Sequence, residues 1–190
     1  MDNSKPPLLV IVTGLPCTGK TTLAHRLALE IPLPIIAKDD IKESMFDSLG
    51  WSDRDWSIKL GRAAILLLYQ FVETLLRARV PVIAETYFRP DQAQAEFQTI
   101  QARTPFRPFV IECISEGEVL MQRWQNRLKN GERHPGHVDD TASDEVVRAV
   151  LLQGRNAPQL KIGNNCQTID TTDFSAINYN KLVNEIHANL

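Results

Sequence analysis

The densest chemistry in this chain lies in one short run. Gly14-Leu15-Pro16-Cys17-Thr18-Gly19-Lys20-Thr21-Thr22 sets two glycines five residues apart and follows the second with lysine and threonine. That is the spacing of a loop that surrounds phosphate oxygens with backbone N–H groups at the start of a helix. Gly14 and Gly19 permit backbone angles and close approaches that a Cβ would block. Lys20 can supply a point charge to the outer phosphates of a nucleotide, and the Thr21 hydroxyl can ligate Mg²⁺. Pro16 lacks an N–H and Cys17 stands where a smaller residue is common, but neither removes a required group. A thiol at a helix N-terminus can be acidified. The simpler reading of Cys17 is a small side chain fitting beside phosphates.

Three further groups have the right types for phosphoryl transfer. Asp39 and Asp40 follow the apolar Ile35-Ile36-Ala37, and Glu85 follows Val80-Pro81-Val82-Ile83-Ala84. An aspartate at a strand end can orient an attacking hydroxyl and take its proton. The competing role for Asp39 or Asp40 is to cap a helix over residues 41–49. The third group is Arg123, Arg127 and Arg133 in the polar segment 123–140. Closing over a nucleotide they would neutralise charge on the transferring group; on an ordinary helix they would form a solvated basic face. His134 and His137 flank Pro135-Gly136 without a cysteine or acid at ligand spacing, so a turn is favoured over a zinc site.

These residues need a scaffold that gathers them. Leu8 to Val12 is a short, partly β-branched apolar run, the pattern of a strand buried on both faces. Apolar residues at Leu23, Ala24, Leu27 and Ala28 predict a helix over residues 20–30, ended before Pro32. A second strand falls at Ile35 to Ala37, and a helix over residues 41–49 is closed by Gly50. Residues 56–79 carry two apolar stripes, one through Trp56, Leu60, Ala63, Leu67 and Phe71, the other through Ile65, Leu68, Val72 and Leu76. They predict a long, well-buried helix. Strands follow at residues 80–84, 109–114 and 166–170, with a helix capped by Asp91 running to Ala102.

Alternating β and α elements predict one domain over residues 1–190. Its expected form is a three-layer α/β/α sandwich on a mostly parallel five-stranded sheet, with a helical lid at about residues 123–140. In such a sheet ligands collect beyond the carboxyl ends of the strands, which brings the Gly-rich loop, Asp39-Asp40 and Glu85 to one crevice.

Composition narrows the function. With 21 Lys+Arg against 23 Asp+Glu the formal charge is −2, so the chain lacks the overall basic character of non-specific nucleic-acid binders. Cys17, Cys113 and Cys166 form no CxxC pair, which disfavours a disulfide framework and a zinc cluster. The apolar runs are too short for a signal peptide or a membrane helix, and a cytoplasmic protein is expected. A GTPase would need Asn-Lys-x-Asp, whereas Asn180-Lys181 is followed by Leu182-Val183. A motor would need a longer chain and an Asp-Glu pair where Glu85 stands alone.

The order of the phosphate loop, Lys38-Asp39-Asp40-Ile41-Lys42, Ile83-Ala84-Glu85-Thr86 and Arg123-x-x-x-Arg127 resembles a group of small P-loop kinases. That group contains polynucleotide 5′-hydroxyl kinase, chloramphenicol phosphotransferase and bacterial AAA-domain ATP-binding proteins. The resemblance implies an ATP- and Mg²⁺-dependent phosphotransferase that moves the γ-phosphoryl group to a hydroxyl of a small molecule or a nucleic-acid 5′ end. It makes Asp39 the general base and Arg127 the lid arginine, with Arg123 one turn away and Lys20 the catalytic cation. Asp40, Lys42, Glu85, Arg89 and Arg133 are expected around the acceptor, and Thr171-Thr172-Asp173 near the adenine. The group usually has arginine where this chain has Lys42, and aspartate where it has Glu85. An acceptor-independent ATPase and a non-catalytic nucleotide-binding regulator are the rival expectations.

Overall fold

The computed structural model describes residues 5–190 except 132 and 142. Strand β1, Leu8–Gly14, is buried along its whole length. It extends two residues past the predicted apolar run, because Thr13 and Gly14 continue the pairing with the neighbouring strand. Helix α1, Lys20–Glu30, starts directly after the Gly-rich loop. Strand β2, Ile35–Ala37, is followed by α2, Lys38–Leu49, and α3, Arg54–Arg77. Then come β3, Val82–Glu85, α4, Pro90–Arg103, β4, Arg107–Ile114, and α5, Gly117–Asn130. The chain closes with α6, Asp144–Leu151, β5, Cys166–Asp170, and α7, Tyr179–Asn189.

The five strands lie in the order β2-β3-β1-β4-β5. Every pair is parallel, with Val10 opposite Ile83 on one side and Phe109 on the other. This is a parallel sheet covered on both faces, and β1 explains why its strands read as unbroken apolar runs. Leu8, Val10 and Val12 face a core with Leu23, Leu27, Leu182 and Ile186 of α1 and α7. Leu9 and Ile11 face a second core with Leu68, Val72, Phe97 and Ile100 of α3 and α4. Alternate side chains therefore serve opposite layers.

Several helix starts differ from the sequence expectation for local reasons. Helix α2 begins at Lys38, not Ile41, with Ala37 as N-cap and no side-chain cap. Asp39 and Asp40 therefore occupy its first turn, where they favour the helix dipole without capping it. Helix α3 begins two residues before Trp56, because the Asp53 carboxylate accepts a hydrogen bond from the Trp56 N–H at 2.8 Å. Its buried stripe is Ser57, Leu60, Ala64, Leu68, Val72 and Leu76. Of the first predicted stripe Leu60 joins it, while Trp56, Ala63 and Leu67 stay half-buried and Phe71 is 44% exposed. One helix face suffices to cover one sheet face, so α3 keeps a second flank free. Helix α4 starts after Arg89 with Pro90 in its first turn; Asp91 lies inside the helix and pairs with Arg89 at 3.2 Å. No helix among the described residues is long and apolar enough to cross a membrane.

Candidate active site

The carboxyl ends of β1, β2 and β3 open into a cleft of about 790 Å³. One wall is the Gly-rich loop. Gly14 (φ 143°) lies so close to β4 that a Cβ would meet the Cys113 carbonyl oxygen at 2.3 Å. Gly19 (φ 76°) has the Phe174 ring against it, 1.9 Å from where a Cβ would sit. Cys17 also takes a left-handed conformation (φ 66°), which stores strain in a non-glycine residue of the loop. Its thiol is pushed up by burial, opposed by the positive charges of Arg127 and Lys20, so the structure favours the plain packing reading. The Thr18 hydroxyl folds back to donate to the Leu15 carbonyl at 2.8 Å, and both residues are buried below the cleft. Pro16, Cys17, Gly19, Lys20, Thr21 and Thr22 line it.

Two loop side chains stand ready for a charged ligand. Among the described residues Lys20 Nζ reaches only the Leu15 carbonyl, at 3.4 Å, and makes no ion pair. The Thr21 hydroxyl donates to Glu85 Oε1 at 3.1 Å. Glu85 is buried, which raises its carboxyl above the usual range against the opposing charge of Lys20. It was expected on the acceptor side, but here it backs the phosphate loop. Among the described residues no group of three His, Cys, Asp or Glu side chains could hold a metal alone. The Thr21–Glu85 pair nevertheless suits Mg²⁺, which keeps most of its waters and shares phosphate oxygens with few protein ligands.

The second wall carries the acids and the arginines. Asp39 pairs with Lys38 at 3.0 Å and with Arg133 through a very short contact. Burial works to raise the Asp39 carboxyl, but Arg133 and Lys38 outweigh it and hold the group well below the usual carboxylate range. Arg133 also donates to Asp139 at 2.9 Å. Arg127 lies 3.7 Å from the same Asp139 oxygen, beyond hydrogen-bond reach, and its Nε and Nη2 are buried with no hydrogen-bond partner. Buried guanidinium donors are costly to leave without hydrogen bonds, and the longer contact to Asp139 offsets that cost only in part. Arg123 is already engaged. It donates to the Thr171, Thr172 and Cys17 carbonyls at 2.7, 3.1 and 3.3 Å and faces the Phe174 ring, tying the Gly-rich loop to the turn after β5.

The segment 133–137 is docked on α2. His134 stacks on Phe46 at 5.1 Å and its Nδ1 accepts from the Gly136 N–H. His137 Nε2 donates to Glu43 Oε1 at 2.8 Å. Burial and the nearby Arg133 push the His137 ring down to about 3, so it is neutral. Lys42 is buried beneath, donating to the Ser57 hydroxyl at 2.9 Å, which donates in turn to the His137 carbonyl at 3.2 Å. Burial, aided by Lys38, lowers the Lys42 ammonium to about 8.

The structure thus brings Lys20, Thr21, Asp39, Lys42, Glu85, Arg89, Arg123, Arg127 and Arg133 to one cleft. Asp40 is not among them; it lies on the outer side of α2, more than half exposed and 3.8 Å from His25. Helix geometry explains this, since neighbouring residues of a first turn point about 100° apart. Sequence reasoning missed Lys38, Asp139, Phe174 and the cleft-facing flank of α3. Asp139 carried a faint signal, as an acid next to the basic lid; the others carried none.

Comparison with known proteins places this geometry. The chain matches the AAA_33 family, described as an AAA domain, over residues 9–153. No curated protein matches. A provisionally named kinase from Chloroflexus aurantiacus j-10-fl is 41% identical over 98% of this chain and 100% of its own, with a TM-score of 0.91. Two more distant structures share the fold. Kti12 of Chaetomium thermophilum, in complex with ADP-AlF3, is 19% identical over 96% of this chain and 98% of its own, with a TM-score of 0.66. The Mycobacterium tuberculosis APS kinase CysC, in complex with AMPPNP and APS, is 14% identical over 97% and 96%, with a TM-score of 0.55. With its phosphate loop at the centre of an all-parallel five-stranded sheet, the chain belongs to the AAA_33 family and has the fold of the small P-loop kinases.

Proposed function

We propose that this protein is a Mg-ATP-dependent phosphotransferase that passes the γ-phosphoryl group to a hydroxyl acceptor. The observation that carries the reading is the joint presence in one cleft of Lys20, with no ion pair among the described residues, of Arg127, whose buried Nε and Nη2 have no hydrogen-bond partner there, and of the half-buried carboxylate of Asp39. A nucleotide-binding regulator would need the first and not the second.

In this reading the loop backbone and Lys20 hold the β- and γ-phosphates, and Thr21 with Glu85 behind it would hold Mg²⁺, which supplies charge neutralisation at the phosphates. Arg127 faces the charge that spreads over the transferring group. The acceptor oxygen attacks the γ-phosphorus, the bond to the bridging oxygen breaks, and ADP leaves with that electron pair. The hydroxyl proton passes to Asp39 and on to solvent. Held by Arg133, Asp39 is a weak base, and its first task is to orient the hydroxyl. Release of Arg133 toward the phosphates would restore its proton affinity at the moment the nucleotide is in place. The lid would then be the segment 133–139, and the protein is expected in the cytoplasm.

The test uses γ-labelled ATP with a broad panel of hydroxyl acceptors. Label recovered on an acceptor, lost in Asp39→Ala, supports the reading. Release of labelled phosphate to water at a rate no acceptor changes would make the protein an ATPase. Tight nucleotide binding without turnover would make it a regulator.

A further inference from the structure

Helix α3 has two stripes with different work. The first packs on the sheet; the second, through Arg54, Ile58, Arg62, Ile65 and Tyr69, recurs every three or four residues and lines the cleft opposite Asp39. We propose that this flank binds the acceptor and that the acceptor is a small organic anion, with a carboxylate or phosphate held by Arg54 and Arg62 and an apolar or planar body resting on Ile65, Tyr69 and Phe88. The inference rests on the phosphotransferase reading and names its substrate class.

Charge comes first. Among the described residues nine lysines or arginines line the cleft against three acids, in a chain whose formal charge is −2. The positive charge is therefore concentrated here, not spread over the surface. The three acids are all paired: Asp39 and Asp139 with Arg133, and Glu85 with Thr21. Mg-bound ATP remains a dianion, too little to offset what is left. Arg54 and Arg62 have no ion pair or hydrogen bond among the described residues, and Arg89 across the cleft has only the exposed Asp91. A solvated basic face is the ordinary meaning of surface arginines. Here, however, they stand about 12 Å apart along the helix with a partly exposed isoleucine, Ile58, between them.

The apolar part is equally specific. Tyr69 and Phe88 have ring centroids 6.0 Å apart, and Ala93 of α4 closes the side. Burial raises the Tyr69 hydroxyl, so it stays protonated and offers a neutral polar tip at an apolar floor. A simple polyol would leave this floor wet and the arginines unused. Planar guanidinium groups suit carboxylate and phosphate, which they bind in forked pairs.

The test has two readouts on the full chain, with Mg-AMPPNP filling the nucleotide site in the first. Anilinonaphthalene sulfonate, an apolar body with one anionic group, should bind saturably by fluorescence, with a Kd about tenfold higher in Arg54→Gln/Arg62→Gln. Neutral N-phenylnaphthylamine should bind both proteins alike. Sulfonate binding that is absent, or unchanged in the variant, overturns the anion site. The second readout offers γ-labelled ATP with hydroxymethylbenzoate, hydroxymethylphenyl phosphate, benzyl alcohol and a 5′-hydroxyl oligodeoxynucleotide. Label on either small anion, with KM about tenfold higher in the variant, supports the proposal, and which one is labelled tells carboxylate from phosphate. Label on benzyl alcohol or the oligonucleotide, with KM unmoved in the variant, overturns the proposal and leaves the phosphotransferase reading standing. Sulfonate binding weakened in the variant, with no label on any of the four acceptors, leaves an anion site but overturns its assignment to the acceptor; labelled phosphate released to water at a rate none of them changes overturns the phosphotransferase reading itself.

Discussion

The two walls of the cleft are built from different material. The phosphate wall is mostly backbone, shaped by Gly14 and Gly19 in conformations and contacts no other residue would accept. The wall proposed for the acceptor is mostly side chain, carried on one flank of α3. Backbone-built sites tolerate few sequences, because the angles and close approaches are set by geometry. A side-chain wall can be rewritten one residue at a time while the helix stands. The first wall should therefore be shared by relatives with different acceptors, and the second should differ among them.

Three experiments can break or sharpen that division. The largest effect is expected from Lys20→Ala, which removes the free cation of the phosphate wall; transfer should fall about 10³-fold or more with circular dichroism unchanged. A variant that turned over ATP at the wild-type rate would remove the basis for calling that wall a phosphate site. Next is Asp39→Asn, at the junction of the walls. Because Arg133 holds Asp39 low, the loss in transfer should sit near the lower end for a general base, about 10²-fold, with ATP affinity by calorimetry unchanged. Asp40→Asn, outside the cleft, should change little. Equal losses in the two variants would mean that the first turn of α2 acts as a unit.

The smallest effect is on stability and belongs to Lys42, under the acceptor wall. Its folded-state pKa of about 8 lies below the model-peptide 10.5, so between those values the unfolded chain binds more protons. Stability should rise as pH increases through that window, by at most about 3 kcal/mol. In Lys42→Met the rise should vanish. Denaturant unfolding at several pH values between 7.5 and 10.5 measures it, and an unchanged slope in Lys42→Met would assign the rise to another group.

The same division explains what could be read from the residues alone. Strand β1, helix α1 and the loop between them were legible because burial on two faces, a 3.6-residue stripe and two obligatory glycines all leave marks in local sequence. Alternating elements predicted a mostly parallel sheet of five strands, whereas the order β2-β3-β1-β4-β5 and the parallel pairing throughout are seen only in the structure. The acceptor wall was not legible. Arg54 and Arg62 look like any helix surface until the fold turns them toward Asp39, and Phe71, which looked like core, proved partly exposed because the sheet face was already covered. As adjacent acids after a strand Asp39 and Asp40 look alike, and it was the resemblance that made Asp39 the base; the start of α2 at Lys38 puts Asp39 in the cleft and Asp40 outside it. The resemblance made Arg127 the lid arginine with Arg123 one turn away, but not that carbonyl oxygens occupy Arg123 and leave the buried nitrogens of Arg127 without a hydrogen-bond partner among the described residues.

Trp124 sits where these facts meet. Its ring is buried against Leu15 of the Gly-rich loop and lies 4.8 Å from the Arg127 guanidinium. Indole emission is sensitive to a cation at its face, so this residue is a built-in optical gauge of where Arg127 points. An anion that draws the guanidinium off the ring should change the colour or yield of that emission, which rapid mixing reads without a label. Trp51, edge-on to His134 at 6.4 Å, would report on the segment 133–137 instead, so Trp51→Phe isolates the signal of the filling cleft.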